Sequence, residues 1–225
     1  MDAVIKVGGS LASDSTVLRN LCAELSKVAE RFRLVVVPGG GEFADVVRTV
    51  DSRFGLKPAV SHRMAVLGMD QFGLLLSQLI PGCRLACSLS VIRGLSSSGR
   101  VVVLLPSHLV FRARSLEASW DVTSDSIAAY VAGRLGVNKL VLATDVNGIF
   151  SSDPKKDANA ELERVVSVST LLQRGLRTSV DKYLPNLLLK FGLDCYVFNG
   201  LFPERVGHIL ANEDALCTHI VGGLY

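Results

Sequence analysis

No stretch of this chain is apolar for long enough to cross a bilayer. The best candidate, Leu74 to Ile80, is far short of the roughly 20 residues a spanning helix needs. Basic tracts with interleaved aromatics are also missing. The net charge is only +3 and the lysines and arginines are scattered, so nucleic acid and membrane surfaces are excluded as expected partners. Paired CxxC knuckles are absent. The five cysteines (Cys22, Cys83, Cys87, Cys195, Cys217) form an odd set, and Cys83 and Cys87 have no nearby histidine to complete a zinc site. Free thiols in a reducing compartment are the better reading. With no charged, apolar leader ahead of the first strand, the expected location is the cytoplasm. Linkers, repeats and low-complexity segments are lacking too, which favours one α/β domain over residues 1–225, with two lobes meeting at a site.

What is present is an alternation of strand-like and helix-like segments. Hydrophobic residues make up 49% of 225, enough for a sizeable core. Leu18, Leu21, Leu25, Val28 and Phe32 recur at three- and four-residue spacing, the mark of one helix face. Helices are also expected over Glu42 to Val50, Ser61 to Leu79, Ser124 to Leu135, Ser169 to Leu172 and Pro185 to Phe191. In the second of these, Met64, Leu67, Phe72, Leu75 and Leu79 are read as the inward face. A further helix is expected with Pro203 in its first turn. Continuous apolar runs at Leu34 to Val37, Val101 to Leu105 and Leu140 to Ala143 predict strands covered on both faces. Shorter strands are expected at Arg84 to Cys87, Tyr196 to Phe198 and Thr218 to Val221. The polar stretch Ser151 to Ala160 reads as an exposed loop, and Thr123 or Ser124 as the cap of the helix that follows them. Together these predict a mainly parallel sheet flanked by helices.

Two glycine-rich turns stand out, Lys6-Val7-Gly8-Gly9-Ser10 and Pro38-Gly39-Gly40-Gly41-Glu42. Each ends an apolar run and precedes a helical stretch. Such a turn brings bare backbone N–H groups to the positive end of a helix, a natural phosphate cradle. Thr144-Asp145-Val146-Asn147-Gly148 also follows a predicted strand. Ligands of parallel sheets sit beyond the carboxyl ends of the strands, so the three loops should converge. Glycines alone could serve only to make tight turns; a lysine inside the first strand makes phosphate handling the stronger reading. The chain has no GxxxxGK[ST], so it is not a P-loop protein. Gly39 to Ala44 fits GxGxxA, but a dinucleotide site also needs an acidic residue about twenty positions on, where this chain offers His62 and Arg63.

Lys-x-Gly-Gly-Ser at 6 to 10, Pro-Gly-Gly-Gly at 38 to 41, Thr-Ser-Asp at 123 to 125 and Thr-Asp-Val-Asn-Gly-Ile-Phe at 144 to 150 occur in one order. In that order they resemble the amino acid kinase superfamily, which includes aspartate, acetylglutamate, uridylate and isopentenyl phosphate kinases. Further stretches look most like the branch that phosphorylates an aminomethylfuran methyl phosphate in methanofuran biosynthesis. These are residues 38–48, 61–65, 104–107, 119–126, 178–181 and 199–206, the fourth holding the only tryptophan, Trp120.

The resemblance implies a three-layer αβα sandwich and transfer of phosphate from ATP, with Mg2+, to a small phosphate acceptor. It implies Lys6 as the catalytic cation and Asp125 as its organiser, although Asp125 could equally cap a helix. Gly8, Gly9 and Ser10 would meet the ATP phosphates, and Thr144, Asp145 and Gly148 the ribose and base. Gly39, Gly40, Gly41, His62, Asp70 and Trp120 would form the acceptor side, with Arg63 a candidate partner of its phosphate. Asp145 could instead be an ordinary turn residue, and His62 a half-buried helix residue. Many relatives have a second catalytic lysine after a Gly-Gly-Met segment. This chain has Thr178-Ser179-Val180-Asp181-Lys182 there, so Lys182 is either its replacement or a solvated residue. Homo-oligomers are common in the superfamily and one is expected here. A nucleotide-storage protein without turnover is the rival of a different class; a lysine poised beside a phosphate cradle argues against it.

Overall fold

The structure is a computed structural model describing residues 1–95, 101–113, 116–152, 156–157, 159–175 and 178–222. Its centre is an eight-stranded sheet. The strands are β1 (Ala3–Val7), β2 (Leu34–Pro38), β3 (Arg84–Ala86), β4 (Val102–Leu104), β5 (Lys139–Thr144), β8 (Val165–Ser167), β9 (Asp194–Asn199) and β10 (Cys217–Val221). They lie in the order β3-β4-β2-β1-β5-β9-β10-β8. Every pairing is parallel except that of β9 with β10, where Cys217 faces Phe198. A separate ribbon pairs β6 (Ile149–Phe150) with β7 (Leu162–Glu163). That ribbon brackets the expected 151–160 loop, of which residues 153–155 and 158 lie outside the described residues.

The central strands are apolar on both faces because both faces are covered. On one side Ile5, Val7, Val36 and Val141 pack with Leu18, Leu21 and Leu25 of α1 (Ser15–Val28) and with Val206 and Ile209 of α9 (Arg205–Ala211). On the other, Val4, Val35, Val37, Leu140 and Leu142 pack with α4 (Leu89–Leu95), α6 (Ser124–Leu135), α7 (Val168–Arg174) and α8 (Leu184–Phe191). Each such side chain fully buried contributes about 1.5–3 kcal/mol before entropy is counted. The expected αβα sandwich is therefore the observed architecture. α3 (Pro58–Leu79) adds Phe72 and Leu76 to the first of these clusters, and α2 (Gly41–Phe54) and the single turn α5 (Ser107–Val110) pack against that helix. No helix among the described residues is long and apolar enough to cross a membrane.

Two local expectations need correction. α1 stops at Val28, and Phe32 follows on looser turns rather than on the helix. On α3 the buried stripe runs through Ser61, His62, Val66, Met69, Phe72, Gly73 and Leu76, while Leu67 and Leu75 face outward. Small residues decide this. A Cβ on Gly68 would press at 3.2 Å on the Phe43 carbonyl carbon, and one on Gly73 would reach 2.8 Å from Leu105 Cδ2. The helix seats itself along its glycines, where it packs closest, and not along its leucines.

Candidate active site

Lys6 lies in the middle of a strand whose five residues are all buried. Alternation along β1 puts its side chain on the same face as Val4, towards the first turn of α6. There the Lys6 ammonium meets the Asp125 carboxylate, with Nζ 2.8 Å from Oδ1. The two residues are only 9% and 6% exposed. The contact is one of charge and not an aligned hydrogen bond, since Oδ1 receives no directed donor. Oδ2 accepts from the Asp181 backbone N–H at 3.1 Å. Asp125 is thus tied at both oxygens while Lys6 keeps donors to offer a third party.

The glycine turns flank this pair. Gly8 donates its N–H to the Ala143 carbonyl and Gly39 to the Val7 carbonyl, both at 2.8 Å, continuing the sheet ladder past the strand ends. The turns then lie backbone against backbone. A Cβ on Gly9 would overlap the main chain of Gly41, and one on Gly39 would sit 2.6 Å from the Gly9 nitrogen. Gly41 itself has φ +52°, a conformation that favours glycine. α2 begins at Gly41 and α6 at Ser124, so two helix N-termini open on one cavity of about 380 Å3. Lys6, Gly8, Gly9, Ser10, Gly40, Gly41, Asp125 and Thr144 all line it. The positive end of α2 and an ammonium around one space make an anion site; the α6 end is already engaged by the Asp181 carboxylate.

The cavity lining also includes His62 and Trp120. His62 is 5% exposed and its Nε2 has no hydrogen-bond partner. Burial holds its pKa below the ordinary histidine value, against the opposing effect of a hydrogen bond with the Val122 backbone. Trp120 donates its indole N–H to Asp51 Oδ2 at 3.0 Å, and the Arg48 guanidinium stacks over its ring at 5.0 Å. Arg48 is also paired with Asp45. Glu42, Asp45 and Arg48 line the cavity as well, and sequence reading passed over them. The signal was available: Gly41, Ala44, Asp45 and Arg48 share one helix face, and the glycine turn aims that face at the phosphate cradle.

Other expected site residues fall elsewhere. Asp70 accepts the Ser107 N–H at 3.1 Å and does not line the cavity, because its carboxylate ties α3 to the start of α5. Arg63 is exposed, lies over the Phe111 ring and does not line the cavity. Lys182 is exposed and borders a separate pocket of about 120 Å3 with Leu171, Thr178 and Asn186. Instead of a lysine, its loop brings Ser179 to the main cavity. Asp145 and Gly148 sit past the end of β5 but outside the cavity lining; Asp145 accepts the Thr144 hydroxyl at 3.2 Å. Their loop is anchored by Arg205, which donates to Asn147 Oδ1 at 2.9 Å. The α6 cap is also different from expectation. Neither Thr123 nor Ser124 caps it; Asp181 accepts the Thr123 and Ser126 N–H groups, both at 2.9 Å. A full negative charge brought from another loop satisfies the helix end better than a hydroxyl that is itself donating.

A sequence model described as the amino acid kinase family matches residues 1–199. The chain belongs to the amino acid kinase family. It is 34% identical over 219 residues to the [5-(aminomethyl)furan-3-yl]methyl phosphate kinase of Methanocaldococcus jannaschii, covering 97% of each chain. It is 25% identical to the uridylate kinase of Methanococcoides burtonii, over 97% of this chain and 95% of that one. Among solved structures, uridylate kinase from Archaeoglobus fulgidus superposes with TM-score 0.79 at 23% identity, over 98% of this chain and all of that one. An isopentenyl phosphate kinase substrate complex superposes with TM-score 0.69 at 22% identity, over 97% and 99%. The amino acid kinase fold is thus the one described above, and its named relatives are kinases.

The cradle fits a nucleotide's phosphates: its glycines let the two turns close backbone to backbone, and Gly9, Ser10, Gly40 and Gly41 line the cavity. Among the described residues no group of three or more His, Cys, Asp or Glu is placed to hold a metal ion.

His62 gives a pH test. Its folded pKa is depressed, so below about pH 6.5 the unfolded chain takes up a proton that the folded chain resists. Stability should fall as pH drops through that value and level off once folded His62 protonates. Urea midpoints at pH 7.5 and 5.5 should differ less in His62→Gln than in the parent; equal differences would show that His62 is not held neutral.

Proposed function

We propose that this protein is an ATP-dependent phosphotransferase that converts a small phosphate monoester to a diphosphate, with [5-(aminomethyl)furan-3-yl]methyl phosphate as acceptor. The observation that carries the reaction type is the Lys6–Asp125 pair lying between the two glycine turns, at 2.8 Å. An acceptor phosphate oxygen attacks the terminal phosphorus of ATP in line; the bond from that phosphorus to the β-bridging oxygen breaks and ADP leaves. At neutral pH a phosphate monoester is mostly a dianion, its second pKa being about 6. The nucleophile has no proton to lose, so no general base is required. What remains is positioning and charge: the ammonium of Lys6 and the Gly9 and Ser10 amides stabilise the oxygens of the transferring group.

The acceptor assignment rests on the 34% relative and on the character of the cavity lining. Trp120 offers an aromatic edge to a furan ring, and Glu42 and Asp45 offer carboxylates to an aminomethyl ammonium. Arg48 and the α2 N-terminus are at hand for the acceptor's own phosphate, and His62 Nε2 is an unpaired contact beside it. The five cysteines are all free, in keeping with a reducing, cytoplasmic setting. Val60, Leu67 and Leu74 recur every seven residues along the exposed side of α3, opposite the site. Such a stripe is self-complementary about a two-fold axis, and we assign a second copy of the chain to it.

ADP release should be measured with ATP, magnesium and a panel of monoesters that includes the furan phosphate, UMP and isopentenyl phosphate. Release with the furan phosphate alone is expected. Preference for another monoester overturns the acceptor, and nucleotide binding without turnover on any of them overturns the reaction. Lys6→Ala should lower turnover by about a hundredfold or more with an unchanged circular dichroism spectrum; near-parental turnover would remove Lys6 from the mechanism. Sedimentation should give a dimer or a larger closed oligomer, reduced to monomer by Leu67→Glu with Leu74→Glu. A monomeric parent would refute the α3 interface.

A further inference from the structure

Asp181 is 2% exposed, outside the cavity lining, and carries an unusual number of bonds for one carboxylate. Oδ2 accepts from the Thr123 N–H, the Thr123 hydroxyl and the Ser126 N–H, each at 2.9 Å. Oδ1 accepts from the Ser126 hydroxyl at 2.5 Å and the Leu184 N–H at 2.8 Å. These donors stand at the first turns of α6 and α8. One side chain therefore caps two helices, while the main-chain N–H of the same residue is the donor to Asp125 Oδ2.

We infer that Asp181 is the positioning residue of the transfer site: its carboxylate fixes the start of α6 and its backbone N–H holds Asp125, so that the Lys6 ammonium is kept on line for the phosphoryl group. The inference rests on the kinase reading for its effect on turnover, but its geometry stands apart from that reading. The same loop supplies the fixed amide and brings Ser179 to the cavity lining.

Chemistry explains why a carboxylate is required. All five partners donate, so the group must accept on both oxygens. Asparagine has the same shape but an NH2 on one side, which would face either the Leu184 N–H or the two α6 N–H groups. One helix start must then move. Burial, and next the charge of Asp125, push the Asp181 carboxyl above its usual range, and the bonds from Ser126 and Thr123 pull it back. The network is therefore held by its donors and has no solvent to fall back on.

The test combines a structure with a cycle of variants. In crystals of Asp181→Asn the Lys6–Asp125 contact should open beyond 4 Å; an unchanged contact overturns the proposal whatever the enzyme's substrate. On the acceptor that the parent turns over, Asp181→Asn should lower kcat about tenfold or more with little change in KM for ATP. In an Asp125→Asn background the same change should cost less than about twofold, because the group it positions is already gone. An equal loss in both backgrounds identifies a purely structural residue and refutes the proposal. Should Asp181→Asn fail to fold, Ser126→Ala removes a single bond and should show the same background-dependent loss at smaller size; a background-independent loss there also refutes it. A parent without turnover on any acceptor would end the kinase reading, leaving the crystal arm to decide the geometry.

Discussion

A single ammonium group in an apolar strand sets the terms for much of this molecule. Lys6 occupies a position in β1 that its neighbours fill with valine and isoleucine, and it is almost as buried as they are. A charge in that setting is costly unless paired, and removing the partner of such a pair typically costs about 3–5 kcal/mol. Asp125 provides the pairing from the first turn of α6, and the loop at Asp181 in turn holds Asp125. The chain of dependence runs from a β-strand through a helix end to a loop 175 positions later in sequence. Each link is polar and sheltered, so the cation is fixed in place. A fixed charge is what a phosphoryl-transfer site requires, because it does not have to reorganise when the bond breaks.

The second constraint is steric. Two glycine turns touch main chain to main chain, and no side chain fits between them. That closeness sets the N-terminus of α2 next to the end of β1, on the same cavity as Lys6. The parallel order of β2, β1 and β5 makes this possible, since it brings three strand ends to one edge. Fold and site are therefore not separable: the sheet's direction supplies the convergence and the glycines supply the approach.

How far the sequence foretold this depends on where the information lies. Continuous apolar runs at Leu34 to Val37 and Leu140 to Ala143 identified strands covered on both sides, and the glycine turns after β1 and β2 marked the edge on which the cavity opens. These are local signals, and local physics wrote them. The buried stripe of α3 was misread because leucine counts for hydrophobicity, whereas the helix is seated by Gly68 and Gly73, whose value is their lack of a side chain. The capping of α6 by Asp181 joins residues 55 or more positions apart, and no spacing rule reveals such a contact. Asp70 had the chemistry of a ligand but is engaged by the Ser107 backbone. The antiparallel pairing of β9 with β10 was equally hidden, since a short buried strand carries no sign of its direction.

Family membership and the geometry of the cavity converge on phosphate transfer, and the claim at the centre is spatial: one triphosphate, one edge, one aimed ammonium. A crystal structure with a non-hydrolysable ATP analogue tests that claim most directly. The account predicts a terminal phosphoryl oxygen within hydrogen-bond distance of Lys6 Nζ, with the amides of Gly9 and Ser10 on the same phosphate chain. A triphosphate bound away from the glycine turns, with Lys6 in contact with Asp125 alone, would contradict it.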